Sequence, residues 1–337
     1  MRSKLLTLTI LAAVALTAPS QSAFAVGEAG VPSMIIPPGA RANGMGEAYV
    51  AIAEDATAAW WNVGGLAFVK NNNLALMHTQ LVPDLANDVY YEFLGYSHQL
   101  KGFGTISLSL IYLTYGESVA TNVQGLQTGT FKSWEASGYL SFALPVTPNL
   151  GIGLTGKFIH ADLAPADLTL DQLDGTGSTV AVDAGLLYKA PGFLFVNDRS
   201  LRLGAALTNL GPDISFIDQE QSDPLPITLR MGFAWTAVQS DVSNWLMTFD
   251  LEQSLVWLID DNTDTRRSEI YHIGTEYRYI NLLAGRIGYV YDKDGDFKDA
   301  TYGLGFIYKD SVTLDYANVP QATTLDRVHR WSVGVSF

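Results

Sequence analysis

Thr105-Ile106-Ser107-Leu108-Ser109-Leu110-Ile111-Tyr112 decides how the rest of the chain is read. Small polar residues take one parity and bulky apolar residues the other, so an extended backbone would present two chemically different faces. The same period recurs along the chain. Leu150, Ile152, Leu154 and Phe158 alternate with Gly151, Gly153, Thr155 and Lys157. Val180, Val182, Ala184, Leu186 and Tyr188 alternate with Thr179, Ala181, Asp183 and Gly185. Ile227, Leu229, Met231, Phe233 and Trp235 alternate with Thr228, Arg230, Gly232 and Ala234. The segments Trp245–Glu252 and Thr301–Tyr308 repeat the pattern.

The charges settle which face is which. Lys157, Asp183, Arg230, Asp250, Glu252, Glu276, Arg278 and Arg286 fall inside these segments, opposite the bulky apolar side chains. A soluble β-sandwich would put such charges on its solvent face, but its strands are usually about five or six residues long. Here the alternation runs for roughly ten to fourteen residues, enough to cross a bilayer when tilted. Tyr90, Tyr91, Tyr96, Tyr115, Trp257, Tyr271, Tyr291 and Tyr308 lie near segment ends, where an interfacial aromatic girdle would place them. The fold class predicted is therefore all-β: a transmembrane, antiparallel, up-and-down β-barrel.

About fourteen strands are predicted, near 74–80, 88–100, 103–116, 131–144, 150–161, 178–190, 200–210, 225–238, 243–258, 268–280, 282–292, 299–309, 311–318 and 326–337. Every second connection is short, as at Lys101-Gly102, Asn281 and Asp310; the exception, 191–199, is moderate. The alternate ones, 117–130, 162–177, 211–224, 259–267, 293–298 and 319–325, are longer. Outer-membrane barrels have short periplasmic turns and long outer loops, and an even strand number returns both termini to the periplasm. Trp331, Val333, Val335 and Phe337 alternate with Ser332, Gly334 and Ser336. A last strand ending on an aromatic residue is the address read by barrel-assembly machinery, so Trp331 and Phe337 are its expected carriers.

Composition agrees. Charged residues make up 16% of the chain, against about 25% in a soluble globule. At the N-terminus Arg2 and Lys4 precede an apolar run from Leu5 to Ala18, then Ala23-Phe24-Ala25 supplies a small-x-small cleavage pattern. The expectation is a signal peptide over 1–25 and export; a membrane anchor or a buried helix is the alternative. The remaining chain has 18 basic and 34 acidic residues, a net charge of −16, which speaks against nucleic acid and against a polybasic dock on anionic lipid. With no cysteine, neither a lipid on Cys nor a disulfide is possible.

Residues 26–73 do not alternate. They contain Gly39-Ala40-Arg41-Ala42-Asn43-Gly44-Met45-Gly46-Glu47-Ala48-Tyr49-Val50-Ala51 and then Asp55-Ala56-Thr57-Ala58-Ala59-Trp60-Trp61-Asn62-Val63-Gly64-Gly65-Leu66-Ala67. This string resembles the opening motif of the PorV/PorQ family of outer-membrane proteins and, more distantly, of FadL-type transporters. It departs where Val63-Gly64 stands in place of the family's Pro-Ala after Asn62, and a lost proline loosens that turn. Leu203–Pro212 and Leu225–Gly232 are weaker matches. The resemblance implies an N-terminal hatch, residues 26–73, in the lumen of a fourteen-stranded barrel, residues 74–337. Its motif residues are Gly39, Arg41, Gly44, Met45, Gly46, Asp55, Trp60, Trp61, Asn62, Gly65 and Leu66. Arg41 and Asp55 are expected to pair with lumen charges such as Asp250, Glu252 or Arg230, or with each other.

Other constellations are weak. Asp292–Asp299 is acidic, but its Gly295 does not fall where a calcium-binding loop needs it, and an outer hairpin turn is expected. His78, His98, His160, His272 and His329 are scattered, and no nucleophile sits with a base, so no enzyme, cofactor or metal is expected. The family resemblance implies a part in the type IX secretion route, in which the barrel binds secreted cargo bearing a C-terminal signal domain and passes it to an attachment machine. A FadL-like channel for hydrophobic small molecules, with Trp60, Trp61, Leu66 and Phe68 lining an apolar pocket, is the second reading. A purely structural outer-membrane protein is the third. Outer-membrane lipid and the barrel-assembly machinery are partners under each. Ile214, Phe216 and Ile217 in an outer loop slightly favour a protein partner.

Overall fold

In a computed structural model the alternating segments become strands, and the strands close on themselves. The structure describes residues 30–122, 124–166, 174–192, 200–216, 222–258, 269–295, 297–321 and 326–337. The expected signal peptide, residues 1–25, and the first residues of the expected hatch lie outside the described residues.

The strands, in chain order, are β1 (Asn73–Gln80), β2 (Val89–Leu100), β3 (Gly104–Thr121), β4 (Gln127–Thr147), β5 (Leu150–Asp162), β6 (Thr176–Ala190) and β7 (Leu201–Leu210). A two-residue pair follows, β8 (Ile214–Ser215) and β9 (Ser222–Asp223). Then come β10 (Thr228–Gln239), β11 (Ser243–Ser254), β12 (Ile270–Tyr279), β13 (Leu283–Asp292), β14 (Phe297–Tyr308), β15 (Val312–Val319) and β16 (Val328–Ser336). All but β8 and β9 form one closed antiparallel barrel of fourteen strands, sealed by β1 against β16. At the seam Asn72 and Phe337 exchange backbone hydrogen bonds of 3.0 Å in both directions.

Parity explains the wall. Ile106, Leu108 and Leu110 point outward into the bilayer zone, while Thr105, Ser107, Ser109, Ile111 and Leu113 are buried inside. Leu154 is 61% exposed and Leu304 65% exposed although both are apolar, which only a lipid solvent makes favourable. Tight turns close the short ends. Ile280 and Asn281 (φ 52° and 47°) join β12 to β13, and Lys309 and Asp310 (φ 51° and 53°) join β14 to β15. The Leu282 and Ser311 N–H donate to the Tyr279 and Tyr308 carbonyls at 3.0 Å, and positive φ at both central residues of each β-turn matches the twist of a tight hairpin.

Three expectations need correction. Residues 117–130 are not a loop: β3 runs to Thr121 and β4 starts at Gln127, with Asn122 Oδ1 accepting the Gln124 and Leu126 N–H at 3.0 Å each to close the turn. The β-branched residues there alternate without bulky partners, so the reading from side-chain size missed them. Tyr91 and Tyr115 do not belong to the girdle. Tyr91 is fully buried and Tyr115 donates to Glu135 inside. Tyr90 and Tyr91 are neighbours in one strand, so only one can face lipid. Ile214 is no partner surface either. The β8–β9 pair brings it into a buried cluster with Val31, Met34, Ile159, Ala161 and Leu225, with Phe216 packed against it; Ile217 lies outside the described residues.

Candidate functional site: the lumen and the N-terminal segment

The N-terminal segment, residues 30–72, packs against inward-facing side chains of the barrel. Its apolar residues Met45, Tyr49, Ile52, Trp60, Trp61, Val63 and Leu66 join Met77, Tyr91, Phe93, Ile111, Leu113 and Tyr139 of the wall in one buried cluster. Four-residue helical turns, Ala40–Asn43 and Ala58–Trp61, and a 3-10 turn, Val63–Phe68, carry the motif. Helices this short are marginal alone, so side-chain locks and the wall hold them.

Several residues of the segment make specific contacts. Gly39 (φ 89°) opens the first turn, and its N–H points at Met77 Sδ at 2.9 Å. Asn43 Nδ2 donates to Pro37 and Gly39 carbonyls at 3.0 and 2.7 Å, and Arg330 of β16 donates to Asn43 Oδ1 and, at 3.1 Å, to the Pro37 carbonyl. The Gly46 N–H donates to Thr301 Oγ1 at 2.8 Å, and its carbonyl accepts from His272 Nδ1 at 2.9 Å. Asp250 Oδ2 of β11 accepts both the Tyr49 and Val50 N–H, at 2.6 and 2.7 Å, while Thr248 Oγ1 donates to the Ala48 carbonyl at 2.6 Å. Trp61 Nε1 donates to the Pro38 carbonyl at 3.0 Å.

Asn62 answers the doubt raised by the missing proline. Its Oδ1 accepts the Gly64 N–H at 3.1 Å, and its Nδ2 donates to Val50 and Leu186 carbonyls at 2.7 and 2.9 Å. One side chain thus caps the turn and ties it to β6, so the turn stands without proline. The segment also sits backbone-close to wall glycines. A Cβ at Gly153 would meet Val63 O at 2.7 Å, and one at Gly44 would meet Gly303 Cα at 2.8 Å.

The charges form a connected set. Arg41 grips Glu276 of β12 with Nε–Oε2 and Nη2–Oε1 distances of 2.9 Å, and its Nη1 donates to the Tyr49 hydroxyl at 3.0 Å. That hydroxyl donates to Asp55 Oδ2 at 2.6 Å, and Asp55 Oδ1 accepts from Thr57 N–H and Oγ1. Burial pushes the Tyr49 phenol well above its ordinary value, so it stays neutral and donates. Arg41 therefore finds a lumen charge, and Asp55 joins it through Tyr49. On the wall Arg286 pairs with Glu276 at 2.6 Å and Asp315 at 2.7 Å, and Arg278 with Glu276 at 2.9 Å. Lys157 pairs with Asp183 at 2.8 Å. Arg230 pairs with Glu252 at 2.8 Å and lies 4.6 Å over the Trp60 ring. A charge confined in a lumen is tolerable when paired in this way.

Sequence reasoning missed Glu135, which accepts the Ser33 N–H at 2.9 Å, and also Asp315, Arg330, and Glu54 with its 2.6 Å partner Lys189. Parity was the available signal: Asp315 lies between outward Leu314 and Tyr316, and Arg330 beside outward Trp331.

A cavity of about 480 Å³ remains beside the segment, with Asp310 and Ser336, near the short-turn end, among its lining residues. Arg41, Asp55, Phe68, Arg278, Arg286 and Asp315 are among its lining residues. Of the four residues expected to line an apolar pocket, Phe68 lines this cavity, Trp61 and Leu66 are packed in the core, and Trp60 lies under Arg230. The acidic stretch from Asp292 forms a turn in which Asp292 Oδ1 accepts the Asp294 and Gly295 N–H. Among the described residues no group of three His, Asp or Glu side chains is arranged for a metal ion.

Comparison with known proteins agrees with this geometry. The Pseudomonas putida toluene transporter TodX is similar in structure, with a TM-score of 0.58 at 15% identity, covering 87% of this chain and 95% of that one. The Ralstonia pickettii toluene transporter TbuX follows at 0.54 and 14%, covering 89% and 98%, and a Pseudomonas aeruginosa FadL homologue at 0.51 and 11%, covering 94% and 100%. Identities this low speak for a shared barrel fold alone. No protein of curated function matches the sequence. Residues 19–259 match the family described as type IX secretion system protein PorV. That span runs from before the Gly39–Ala67 motif to beyond β11, and with it this outer-membrane barrel belongs to the PorV family.

Proposed function

We propose that the chain is exported with cleavage after Ala25, is plugged by its own N-terminal segment, and works in type IX secretion by binding exported cargo at the outer surface. The cargo carries a C-terminal signal domain, and the barrel passes it to an attachment machine. The observation that carries this reading is the family match across most of the chain. The N-terminal segment supports it: tied to β11, β12, β14 and β16 by Asp250, Glu276, Thr301 and Arg330, a segment held in this way would leave little of the lumen for traffic and direct the work to the outer surface. Deleting the gene in its native host tests it. Exported proteins with the signal domain should accumulate in the periplasm, and unchanged surface display would refute the reading.

The second reading, a channel for hydrophobic small molecules, draws on the shared fold with the toluene transporters. The lining of the cavity disfavours it, because Arg41, Arg278, Arg286, Asp55 and Asp315 offer an apolar molecule ionic groups rather than a greasy slot.

A further inference from the structure

The guanidinium groups around Glu276 outnumber the carboxylates that hold them. Glu276 Oε1 accepts from Arg41 Nη2 and Arg278 Nε, and Oε2 accepts from Arg41 Nε and Arg286 Nε. Both oxygens are thus used twice. Asp315 Oδ1 takes Arg286 Nη1 at 2.7 Å. In direct contact, three positive charges face two negative ones, inside a chain whose 34 acidic residues outnumber its 20 basic ones.

The other acids that line the cavity beside this set are engaged elsewhere or stand apart. Asp55 is taken by the Tyr49 hydroxyl and by Thr57, and reaches Arg41 only through that hydroxyl. Glu54 is paired with Lys189 at 2.6 Å and Arg202 at 3.7 Å. Asp310 is exposed in the β14–β15 turn, and exposed Lys70 lines the cavity as well.

Arg278 is the open member. Among the described residues its Nε alone has a hydrogen-bond partner, Glu276. Its side chain is 29% exposed, against 1% for Arg286 and 2% for Glu276, and it lines the cavity. Its two terminal nitrogens keep their N–H donors, in the fork that meets two oxygens of one carboxylate or phosphate side by side. Arg41, bound to the same Glu276 oxygen, also lines the cavity, and its side chain is 23% exposed. At the barrel seam the wall contributes Asn73, Thr313, Ser332 and Ser336, small polar side chains that leave room. Ser332 Oγ accepts the Ala40 N–H at 3.0 Å, so its own O–H is left to donate.

We propose that this cavity is an oxyanion site. A small hydrophilic molecule bearing a carboxylate or a phosphate sets two oxygens against the terminal nitrogens of Arg278, with Arg41 beside them adding positive charge. A confined charge needs a partner, and the anion supplies the missing one. The ligand enters from the short-turn end, which in such barrels faces the periplasm. This inference does not rest on the cargo-binding reading above.

The test uses the full barrel in a non-ionic detergent, with inorganic phosphate, succinate and octanoate as probes and calorimetric titration as the readout. Four chains are compared: native, Arg278→Met, Arg278→Lys and Lys101→Gln. Lys101 is an exposed cation of a short turn and does not line the cavity. The native chain should bind phosphate or succinate at one site, and the tighter of the two names the anionic group. Arg278→Met should weaken binding about tenfold or more, as expected for the loss of charge-assisted hydrogen bonds. Arg278→Lys keeps the charge but not the fork, so it should weaken binding several-fold even if Arg278→Met fails to give heat-modifiable barrel. Lys101→Gln should bind as the native chain does. No binding of phosphate or succinate by the native chain at millimolar concentration overturns the proposal. So does native affinity in both Arg278 variants, or an equal loss in Lys101→Gln, which would mean attraction to surface charge alone. Phe68 and Phe93 also line the cavity. Octanoate bound far more tightly than succinate would therefore overturn a hydrophilic ligand and favour the channel for hydrophobic molecules.

Discussion

Arg41 and Glu276 stand 235 positions apart and meet in a two-pronged ion pair inside the barrel, each N–O distance 2.9 Å. The Glu276 carboxylate is shared with Arg278 and Arg286 of the wall. One carboxylate therefore organises three guanidinium groups, and Arg41 is how the N-terminal segment joins the set.

Removing one member of such a buried set leaves the others uncompensated. Glu276→Gln should lower the unfolding stability of the detergent-solubilised barrel by about 3 kcal/mol. Arg41→Ala should lower it less, because Arg278 and Arg286 still hold Glu276, but it should speed proteolysis of the N-terminal segment. Urea unfolding and limited proteolysis measure the two effects. Equal resistance of the Arg41→Ala and native chains would show that the pair does not anchor the segment.

Close approach to wall glycines makes a paired prediction. A Cβ at Gly288 would meet the backbone of Met45 and Gly46, with Gly46 Cα at 2.5 Å, whereas one at Gly285 meets nothing within 4 Å. Gly288→Val should destabilise by roughly 1–3 kcal/mol through overpacking, and Gly285→Val, facing lipid on the same strand, by less than about 0.5 kcal/mol. Comparable losses in both, read from thermal unfolding, would mean that strand propensity rather than the segment sets the requirement.

If the segment closes the lumen, its removal opens it. Deleting residues 30–70 should give stable single channels in planar bilayers, with conductance well above that of the intact chain. A large open pore in the intact chain contradicts the plug.

Much of this fold was legible because a membrane barrel writes itself in a period of two, and each inner charge is flanked by outward apolar residues. All fourteen strands and the inward face of Lys157, Asp183, Arg230, Asp250, Glu252, Glu276, Arg278 and Arg286 follow from that parity. Partners across the lumen leave no such trace. Nothing near Arg41 in sequence points to Glu276, and nothing near Ser33 points to Glu135. Burial by a distant element is equally silent, as Ile214 under Val31 and Met34 shows. The outer ends of β3 and β4, Glu117–Thr121 and Gln127–Lys132, escaped because their small and polar residues do not separate into large and small by parity.

At the barrel seam Phe337 is 65% exposed, yet its backbone pairs with Asn72 on both sides of the peptide. Phe337→Asp should therefore leave the folded barrel closed; if the exposed aromatic serves barrel assembly, as proposed, it should also reduce the amount assembled in cells. Heat-modifiable protein in outer-membrane fractions measures this, and native levels would remove Phe337 from that role.

The most direct measurement of the central claim is gentle affinity purification of the intact barrel from native outer membranes, with mass spectrometry of both proteins and lipids. The account predicts recovery of exported proteins that share a C-terminal signal domain. Recovery of fatty acids or other apolar molecules with no protein partner would contradict it and make the barrel a channel for hydrophobic molecules.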